Sequence, residues 1–304
     1  MTTASLVLLH YFGVKGIINY KSWVHDQRLL VIQGIVMVCV GISATAGFHR
    51  MLTHNAYEGR MALHIFYYVF GAIGLTGSPI GWIRTHRTHH QYAEQDLDPH
   101  DTQRGFFFSH FGWMMLKLPA KVAEAEALQD ETTLKYYEAV KVYHTWYNVI
   151  GVVLTIVIPS LFYGKKRFKA NYKAVLYTTI IRNMIGLNSA AMVNSLAHKL
   201  GTRPNETRIS AYNNGIVSWC SWGEGWHNYH HKFSKDYRAS GHSNFLLYWN
   251  PSHAFILLCA KFGLAYNLKV ACDAFDPEAE FCHNGQHYKI LYKKRLKVCT
   301  PVKS

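Results

Sequence analysis

Nine of the nineteen histidines fall into short clusters whose spacing suits metal binding. His49 and His54 stand five residues apart, and His198 follows an apolar segment. Two HxxHH motifs supply the other six, which are His86, His89, His90, His227, His230 and His231. Imidazole nitrogen binds iron, zinc and copper among the common metals, so these clusters predict a metal centre.

The number and spacing of these histidines indicate two ions. Residues i, i+3 and i+4 share a helix face, so each HxxHH motif presents three imidazoles together. Nine histidines exceed the four ligands of a zinc tetrahedron and fit two ions with about four or five nitrogen ligands each. Asn194 shares a face with His198 and is placed to complete one shell, directly or through water. His49 and His54 lie about 140° apart on a regular α-helix, so they converge only if that helix ends or distorts near Met51.

The isolated histidines are interpreted as structural. A lone histidine is more often a hydrogen-bonded core or surface residue than a metal ligand. This interpretation covers His10, His25, His64, His144 and His253.

Apolar segments next to the clusters indicate a membrane protein. About twenty apolar residues are needed to cross a bilayer as a helix. Spans are predicted at 4–18, which is short and so truncated or tilted, and at 29–48, 146–163 and 174–197. The apolar segment 61–81 ends in Gly-Ser-Pro-Ile-Gly. Because all histidine clusters must lie on one side of the membrane to meet, 61–81 is predicted to form a pair of short buried or interfacial helices.

Composition narrows the class of partner. Charged residues make up 16% of the chain, against roughly 25% in an average soluble domain. The net charge of +14 favours a partner that carries negative charge. Lysine and arginine are not concentrated on one helix or arm, so a membrane surface or an anionic substrate is favoured over nucleic acid. The six cysteines form no CxxC pair and are interpreted as reduced thiols.

Several segments resemble the membrane acyl-CoA desaturases of the stearoyl-CoA (delta-9) type. The segments are GFHRMLTH (47–54), RTHRTHH (84–90), DPHDTQRGFFFSHFGW (98–113), VNSLAHKLGTRP (193–204), EGWHNYHHKFSKDYRAS (224–240) and NPSHAFILLCAKFGLAYNLK (250–269). The resemblance runs from about residue 6 to residue 270.

The resemblance implies a di-iron centre held by the nine histidines, with Asn194 bound through a water. It implies an all-α integral membrane protein, a single domain over 1–304 with four transmembrane helices. A helical cytosolic cap, formed by 49–145 and 198–304, would hold the metal site, with the chain in the endoplasmic reticulum membrane. One feature opposes this topology, since the basic loop 164–173 would be lumenal, against the positive-inside tendency. Convergence of the metal ligands is the stronger constraint.

The reaction expected from the resemblance is O2-dependent desaturation of a saturated fatty acyl-CoA, most simply at the delta-9 position. No side chain oxidises an unactivated methylene, so the metal and O2 must carry the chemistry. No flavin or haem motif is visible in the sequence. The resemblance therefore implies electrons from a separate cytochrome b5 and its NADH-dependent reductase. A basic cap suits the docking of an acidic donor.

The resemblance also implies substrate contacts. Trp82 and Arg84 match a W-x-R motif before the second cluster, and Lys117 falls near a position that contacts the CoA phosphates. Thr85 stands where vertebrate-like members carry Asp. The helix before the first cluster is expected to line the end of an apolar tunnel, where Met37 and Gly41 would set chain length.

Three other functions remain open from the sequence. The first is a related histidine-box hydroxylase, or a desaturase of another regiospecificity or of a lipid-linked substrate. The second is a membrane protein that binds or transports metal. Transport would place polar ligands near the bilayer midplane, whereas these clusters stand at the ends of spans and in the cap. A nucleic-acid binder is the third and least favoured, since no binding motif is visible.

Overall fold

The computed structural model describes residues 3–19, 27–130, 132, 134–157, 165–242, 244, 246–272, 281–283 and 286–293. The first part of the chain is helical apart from one short strand. Its elements are α1 (Thr3–Ile18), α2 (Gln27–Ile42) with a π-helical continuation (Ser43–Thr53), β1 (Glu58–Gly59), α3 (Met61–Gly74) and α4 (Pro79–Tyr92).

The middle of the chain alternates short and long helices. It contains a 3-10 turn (Thr102–Arg104), a π-helical turn (Phe108–Gly112), α5 (Trp113–Met115), α6 (Ala120–Ala127), α7 (Tyr137–Val152) with a π-helical end (Val153–Val157), and α8 (Lys165–Ser195) with a 3-10 end (Leu196–His198). The last part contains α9 (Gly215–Cys220), α10 (His227–Lys232), α11 (Pro251–Lys261), β2 (Ala265–Tyr266), β3 (Leu268–Cys272), β4 (Phe281–His283) and β5 (Gln286–Leu291).

One helix of the described residues is long and apolar enough to cross a membrane by itself. It runs without interruption over Leu29–Thr53, with a mean hydropathy of 2.2. It therefore extends the span predicted at 29–48. The segment predicted at 4–18 is the shorter apolar helix α1.

The apolar segment 61–81 forms part of two short helices, as expected. α3 and α4 bend by 86° at their junction. The bend has local causes, because Leu75 adopts the left-handed conformation and Pro79 begins α4. The Ser78 side chain then caps α4 by accepting a hydrogen bond from the Gly81 amide at 3.2 Å.

The regions predicted as spans at 146–163 and 174–197 are helical where they are described. Residues 158–163 of the first lie outside the described residues. α8 begins at Lys165, so the basic segment expected to be a loop is helical from that residue on. Lysine, arginine and alanine are good helix formers, which explains why the helix extends through them. α8 is long enough to cross a bilayer, at 31 residues, but within the described residues it is not apolar enough to be identified as a span.

The expectation of an entirely helical fold is wrong. β1 pairs antiparallel with β2, and β3, β5 and β4 form a three-stranded antiparallel sheet. The described part of the chain is therefore mostly helical with two small sheets. Short strands of this kind have no strong periodic signal in sequence.

Tight packing holds α3 against the π-helical segment that carries the first histidines. A Cβ on Gly47 would lie 2.4 Å from the Tyr67 ring, and a Cβ on Gly71 would lie 2.6 Å from the Phe48 ring. The hydroxyls of Tyr57 and Tyr67 are hydrogen-bonded at 2.6 Å. These buried contacts hold in place the π-helical segment that carries His49.

Candidate metal centre

The π-helical segment brings His49 and His54 onto one side of the chain. Its hydrogen bonds join residues five apart, as in the bond from the His54 amide to the His49 carbonyl at 3.2 Å. The two imidazole centroids are consequently 4.9 Å apart. The distortion required near Met51 is confirmed, although it begins earlier, at Ser43.

Five histidines form the first cluster. Its members are His49, His54, His86, His90 and His230. Their Nε2 atoms are 2.9 Å apart for His49 and His230, and 3.0 Å apart for His90 and His230. The Nε2 atom of His86 lies 3.1 Å from those of both His54 and His90.

Four histidines form the second cluster. Its members are His89, His198, His227 and His231. The Nε2 atom of His227 lies 3.0 Å from those of His198 and His231. The two clusters are adjacent, because the rings of His90 and His231 stack at 4.4 Å.

Each HxxHH motif divides its histidines between the clusters. In α4, His86 and His90 join the first cluster and His89 joins the second. In α10 the pattern is reversed, with His230 in the first cluster and the i, i+4 pair of His227 and His231 in the second. The nine histidines form groups of five and four, as expected for two ions, and each motif contributes to both groups.

The spacing of the nitrogen atoms fits bound metal ions. A metal–imidazole distance of about 2.0–2.1 Å, as for zinc, places ligands at right angles about 3 Å apart. The six pairs of neighbouring Nε2 atoms given above lie at 2.9–3.1 Å. In a seventh pair, the Nε2 atoms of His89 and His231 are 3.4 Å apart. Several lone pairs converging at this distance repel each other unless a cation lies among them.

Protons do not supply that cation. Burial, and then repulsion between neighbouring imidazolium charges, lowers the pKa of His227, His230 and His231 well below the usual value. These imidazoles are neutral near pH 7, which is the form that binds a metal. The residues therefore fit two metal ions.

A buried carboxylate orients the first cluster. Glu224 accepts a hydrogen bond from Nδ1 of His49 at 2.8 Å, which leaves the His49 Nε2 lone pair free for a metal. The same carboxylate pairs with the buried Arg50 guanidinium at 2.8 Å. Burial opposes ionisation of Glu224, but Arg50 and His49 outweigh it, so the pKa of this carboxyl lies below its usual value.

Asp98 has the corresponding role in the second cluster. It accepts a hydrogen bond from Nδ1 of His89 at 2.9 Å. The amides of Glu94 and His100 donate to the same carboxylate at 3.0 and 3.1 Å. Because Asp98 is buried and held by these amides, it fixes both the ring orientation and the tautomer of His89.

Sequence reasoning missed the roles of Glu224, Asp98 and Arg50. All three lie inside the segments that carry the family resemblance, and Arg50 is adjacent to His49 in sequence. A search for carboxylates in those segments is the signal that would have found the two acids. Their pairing with particular histidines depends on tertiary structure.

The histidines interpreted as structural have ordinary hydrogen-bond partners where they are described. Nε2 of His10 contacts the Asn188 amide at 3.0 Å, and His64 contacts the Tyr68 hydroxyl at 3.3 Å. His144 contacts the Ser78 hydroxyl at 2.6 Å, and His253 contacts the Tyr237 hydroxyl at 3.2 Å. His25 lies outside the described residues. None of the four described side chains belongs to a metal-ligating group.

The expected head-group residues have different surroundings. Trp82 is partly buried and packs against the hydrophobic core, with its ring edge-on to Phe48 at a centroid distance of 6.2 Å. Arg84 is half-buried near Glu126, which also accepts a hydrogen bond from Thr85 at 2.8 Å. Lys117 is exposed shortly after α5. Asn194 is half-buried in the last turn of α8, four residues before His198.

The two residues expected to set chain length have different surroundings. Met37 lines a mostly apolar groove of about 490 Å³ between α1, α2 and α8. Gly41 is covered by the indole of Trp222, since a Cβ on Gly41 would lie 2.1 Å from Nε1. Trp222 is a contact that the sequence did not predict.

Residues 27–238 match the sequence profile of the fatty acid desaturase family. Stearoyl-CoA desaturase 5 of Homo sapiens is 36% identical over 230 residues, which cover 76% of this chain and 69% of that protein. Acyl-CoA desaturase 1 of Saccharomyces cerevisiae is 34% identical over 264 residues, covering 85% of this chain and 49% of that protein. Acyl-CoA Delta(11) desaturase of Choristoneura rosaceana is 36% identical over 279 residues, which cover 88% of this chain and 80% of that protein.

Proposed function

This chain belongs to the fatty acid desaturase family, and from that premise we propose that it introduces a cis double bond into a saturated fatty acyl-CoA. The observation that carries the proposal is the pair of adjacent buried clusters, with five and four imidazoles. The names of the similar proteins support acyl-CoA as the substrate.

Two iron ions are the proposed cofactors. The nine clustered histidines would hold them, with Asn194 contributing through a water. When bound, iron supplies the redox chemistry with O2 that amino-acid side chains lack. In the overall reaction, two hydrogens leave adjacent carbons, and O2 with two electrons and two protons becomes two waters.

The protein's own contribution is to orient and shield the site. Glu224 and Asp98 hold the proton on Nδ1 of their histidines, so that Nε2 faces the centre. The Arg50 guanidinium is buried and also donates to the carbonyls of Tyr237 and Arg238 at 3.2 and 3.0 Å. It thereby ties the π-helical segment to the loop after α10. A rigid and largely buried site limits the access of water to the reacting methylenes.

The proposed topology has four spans, formed by α1, the Leu29–Thr53 helix, the α7 region and α8. The histidine clusters then lie on the cytosolic face of the endoplasmic reticulum membrane. Because α3 and α4 bend by 86°, they can return the chain to the side on which it left the first cluster. Metal convergence supports this arrangement, as it requires all four ligand segments on one face.

For substrate selectivity we propose that Trp82, Arg84 and Lys117 bind the CoA head group and that Met37 and Gly41 limit the acyl chain. The regiochemistry we propose is delta-9. Similar proteins include one named for delta-11 chemistry, so double-bond position is the variable that product analysis must measure. Cytochrome b5 is the proposed electron donor, docking on the basic cap.

Expression in a host that lacks its own delta-9 desaturase tests this function. The chain should restore growth without added unsaturated fatty acid, and mapping the double bond should locate it at delta-9. His89→Ala should abolish rescue, whereas His144→Ala, at an exposed histidine outside both clusters, should not. A hydroxylated fatty acid instead of an alkene would support the hydroxylase alternative and refute desaturation.

A further inference from the structure

An exposed apolar surface in the cap is formed by residues outside the two histidine clusters. It is formed by α9 and the turn at residues 246–249. Its side chains, here called the cap patch, are Ile216, Trp219, Leu246, Leu247 and Trp249, with exposed fractions of 70%, 67%, 74%, 73% and 38%. Contiguous apolar exposure of this kind marks an interaction surface.

The two segments that carry the cap patch are also free of charge. No Asp, Glu, Lys or Arg occurs between Ile209 and Gly223, or between Ala239 and Ala260. Charged residues make up 16% of the whole chain, and the net charge is +14. Two long uncharged segments in a basic chain suggest an apolar environment rather than water.

Hydrogen bonds hold the two segments together. The Trp249 indole donates to the Trp219 carbonyl at 3.2 Å, and the Ser218 hydroxyl donates to the Trp249 carbonyl at 3.0 Å. The cap patch is therefore one surface and not two independent loops.

The cap patch is attached to the side of the Leu29–Thr53 helix. The indole of Trp222, which follows α9, lies against Gly41. The Ser252 hydroxyl contacts the Thr45 hydroxyl at 2.6 Å and also the Trp222 carbonyl at 2.8 Å. Gly41 is at the middle of the Leu29–Thr53 helix, and Thr45 is one turn nearer its cytosolic end. The attached segments therefore lie beside the half of that helix that leads to His49.

We propose that the cap patch inserts into the cytosolic leaflet, at the boundary between lipid head groups and acyl chains. This inference rests on the membrane topology proposed above. Side chains exposed at that depth face lipid, and the helix to which the cap patch is attached also exposes apolar side chains, namely Val31, Ile35 and Val38. Tryptophan and leucine on segments that contain no Asp, Glu, Lys or Arg suit the interfacial region, where tryptophan is enriched.

Membrane insertion of the cap patch would position part of the metal centre. Only a few residues separate α9 from α10, which carries His227, His230 and His231. Insertion therefore holds these ligands at a fixed depth relative to His49 on the membrane-spanning helix.

Site-specific fluorescence quenching tests the insertion. An environment-sensitive fluorescent amino acid replaces Leu247 in the full chain, reconstituted at one copy per phosphatidylcholine nanodisc. The quencher is a nitroxide on the upper acyl chain of the lipid. Ile32, exposed on the predicted span, is the positive control, and Leu128, exposed in the cap after α6, is the negative control.

The proposal predicts quenching at Leu247 that matches Ile32 and exceeds Leu128 several-fold. Leu246, labelled in the same way, should agree with Leu247. Quenching at Leu247 no stronger than at Leu128, with Ile32 still quenched, would overturn the insertion and leave the topology intact. A blue-shifted but unquenched probe would indicate cover by protein and would also overturn it. If the probe at Ile32 is not quenched either, the membrane placement of the Leu29–Thr53 helix is itself refuted.

Discussion

Replacing Asp98 by Asn isolates the role of a buried carboxylate in the second cluster. The aspartate accepts from Nδ1 of His89 at 2.9 Å through one oxygen, and from the Glu94 amide at 3.0 Å through the other. Asparagine has one oxygen and one NH2 group. If its oxygen faces His89, its NH2 group opposes the Glu94 N–H. If it is reversed, the NH2 group donates to Nδ1 and drives the His89 proton to Nε2, where it blocks metal binding.

The expected magnitude follows from the disturbed orientation and tautomer of His89. Removal of such an outer carboxylate typically lowers metal affinity about 10–100-fold, which is about 1.4–2.8 kcal/mol. Only the second cluster should weaken, because Glu224 still orients His49. One of the two irons should therefore be released at a lower chelator concentration than the other.

Iron content during a chelator titration of the purified chain measures this effect. Asp96→Asn is a matched control, since it makes the same change in the same loop. The Asp96 side chain is 90% exposed and pairs with Lys121 at 2.8 Å. Wild-type and Asp96→Asn chains should keep both irons over the same range. If Asp98→Asn also does so, the proposed orienting role is wrong.

Three further outcomes are expected. Glu224→Gln should lower the free energy of unfolding by about 3–5 kcal/mol, because it leaves the buried Arg50 charge without a counter-ion; an unchanged denaturation midpoint would contradict this. Gly41→Ala should shift the products towards shorter acyl chains, because the added methyl group takes up space at the proposed end of the tunnel, where it also meets the Trp222 indole, and Trp222→Ala should reverse the shift. If gas chromatography shows no change in the length of the product acyl chains, Gly41 does not limit acyl chain length. Reloading with zinc should preserve the thermal unfolding temperature but give no turnover, because zinc has no redox chemistry; product formed with zinc alone would exclude iron chemistry.

The histidine clusters could be predicted because their spacing is local. A helix places i, i+3 and i+4 together whatever the rest of the fold does. The division of His86, His89 and His90 between two clusters could not be predicted, since it depends on how α4 faces α10. The spacing of His49 and His54 predicts that the helix is distorted between them. No sequence signal shows that the distortion is a π-helical segment or that it starts at Ser43.

Other features depended on contacts between distant segments. The pairing of His49 with Glu224 joins residues far apart in sequence, and so does the contact of Gly41 with Trp222. The break between α3 and α4 could be predicted, because the Gly-Ser-Pro segment carries its own turn chemistry. The small sheets could not, because strands of two to six residues acquire their structure from pairing partners.

Product analysis of the purified, iron-loaded chain is the decisive test of acyl-CoA desaturation. The protein is reconstituted in lipid with a saturated acyl-CoA, O2 and a reduced electron donor, and the acyl products are analysed by mass spectrometry. Desaturation should give a product two hydrogens lighter than the substrate, with one cis double bond. An acyl product one oxygen heavier, or no product from a chain that holds two irons, would contradict it.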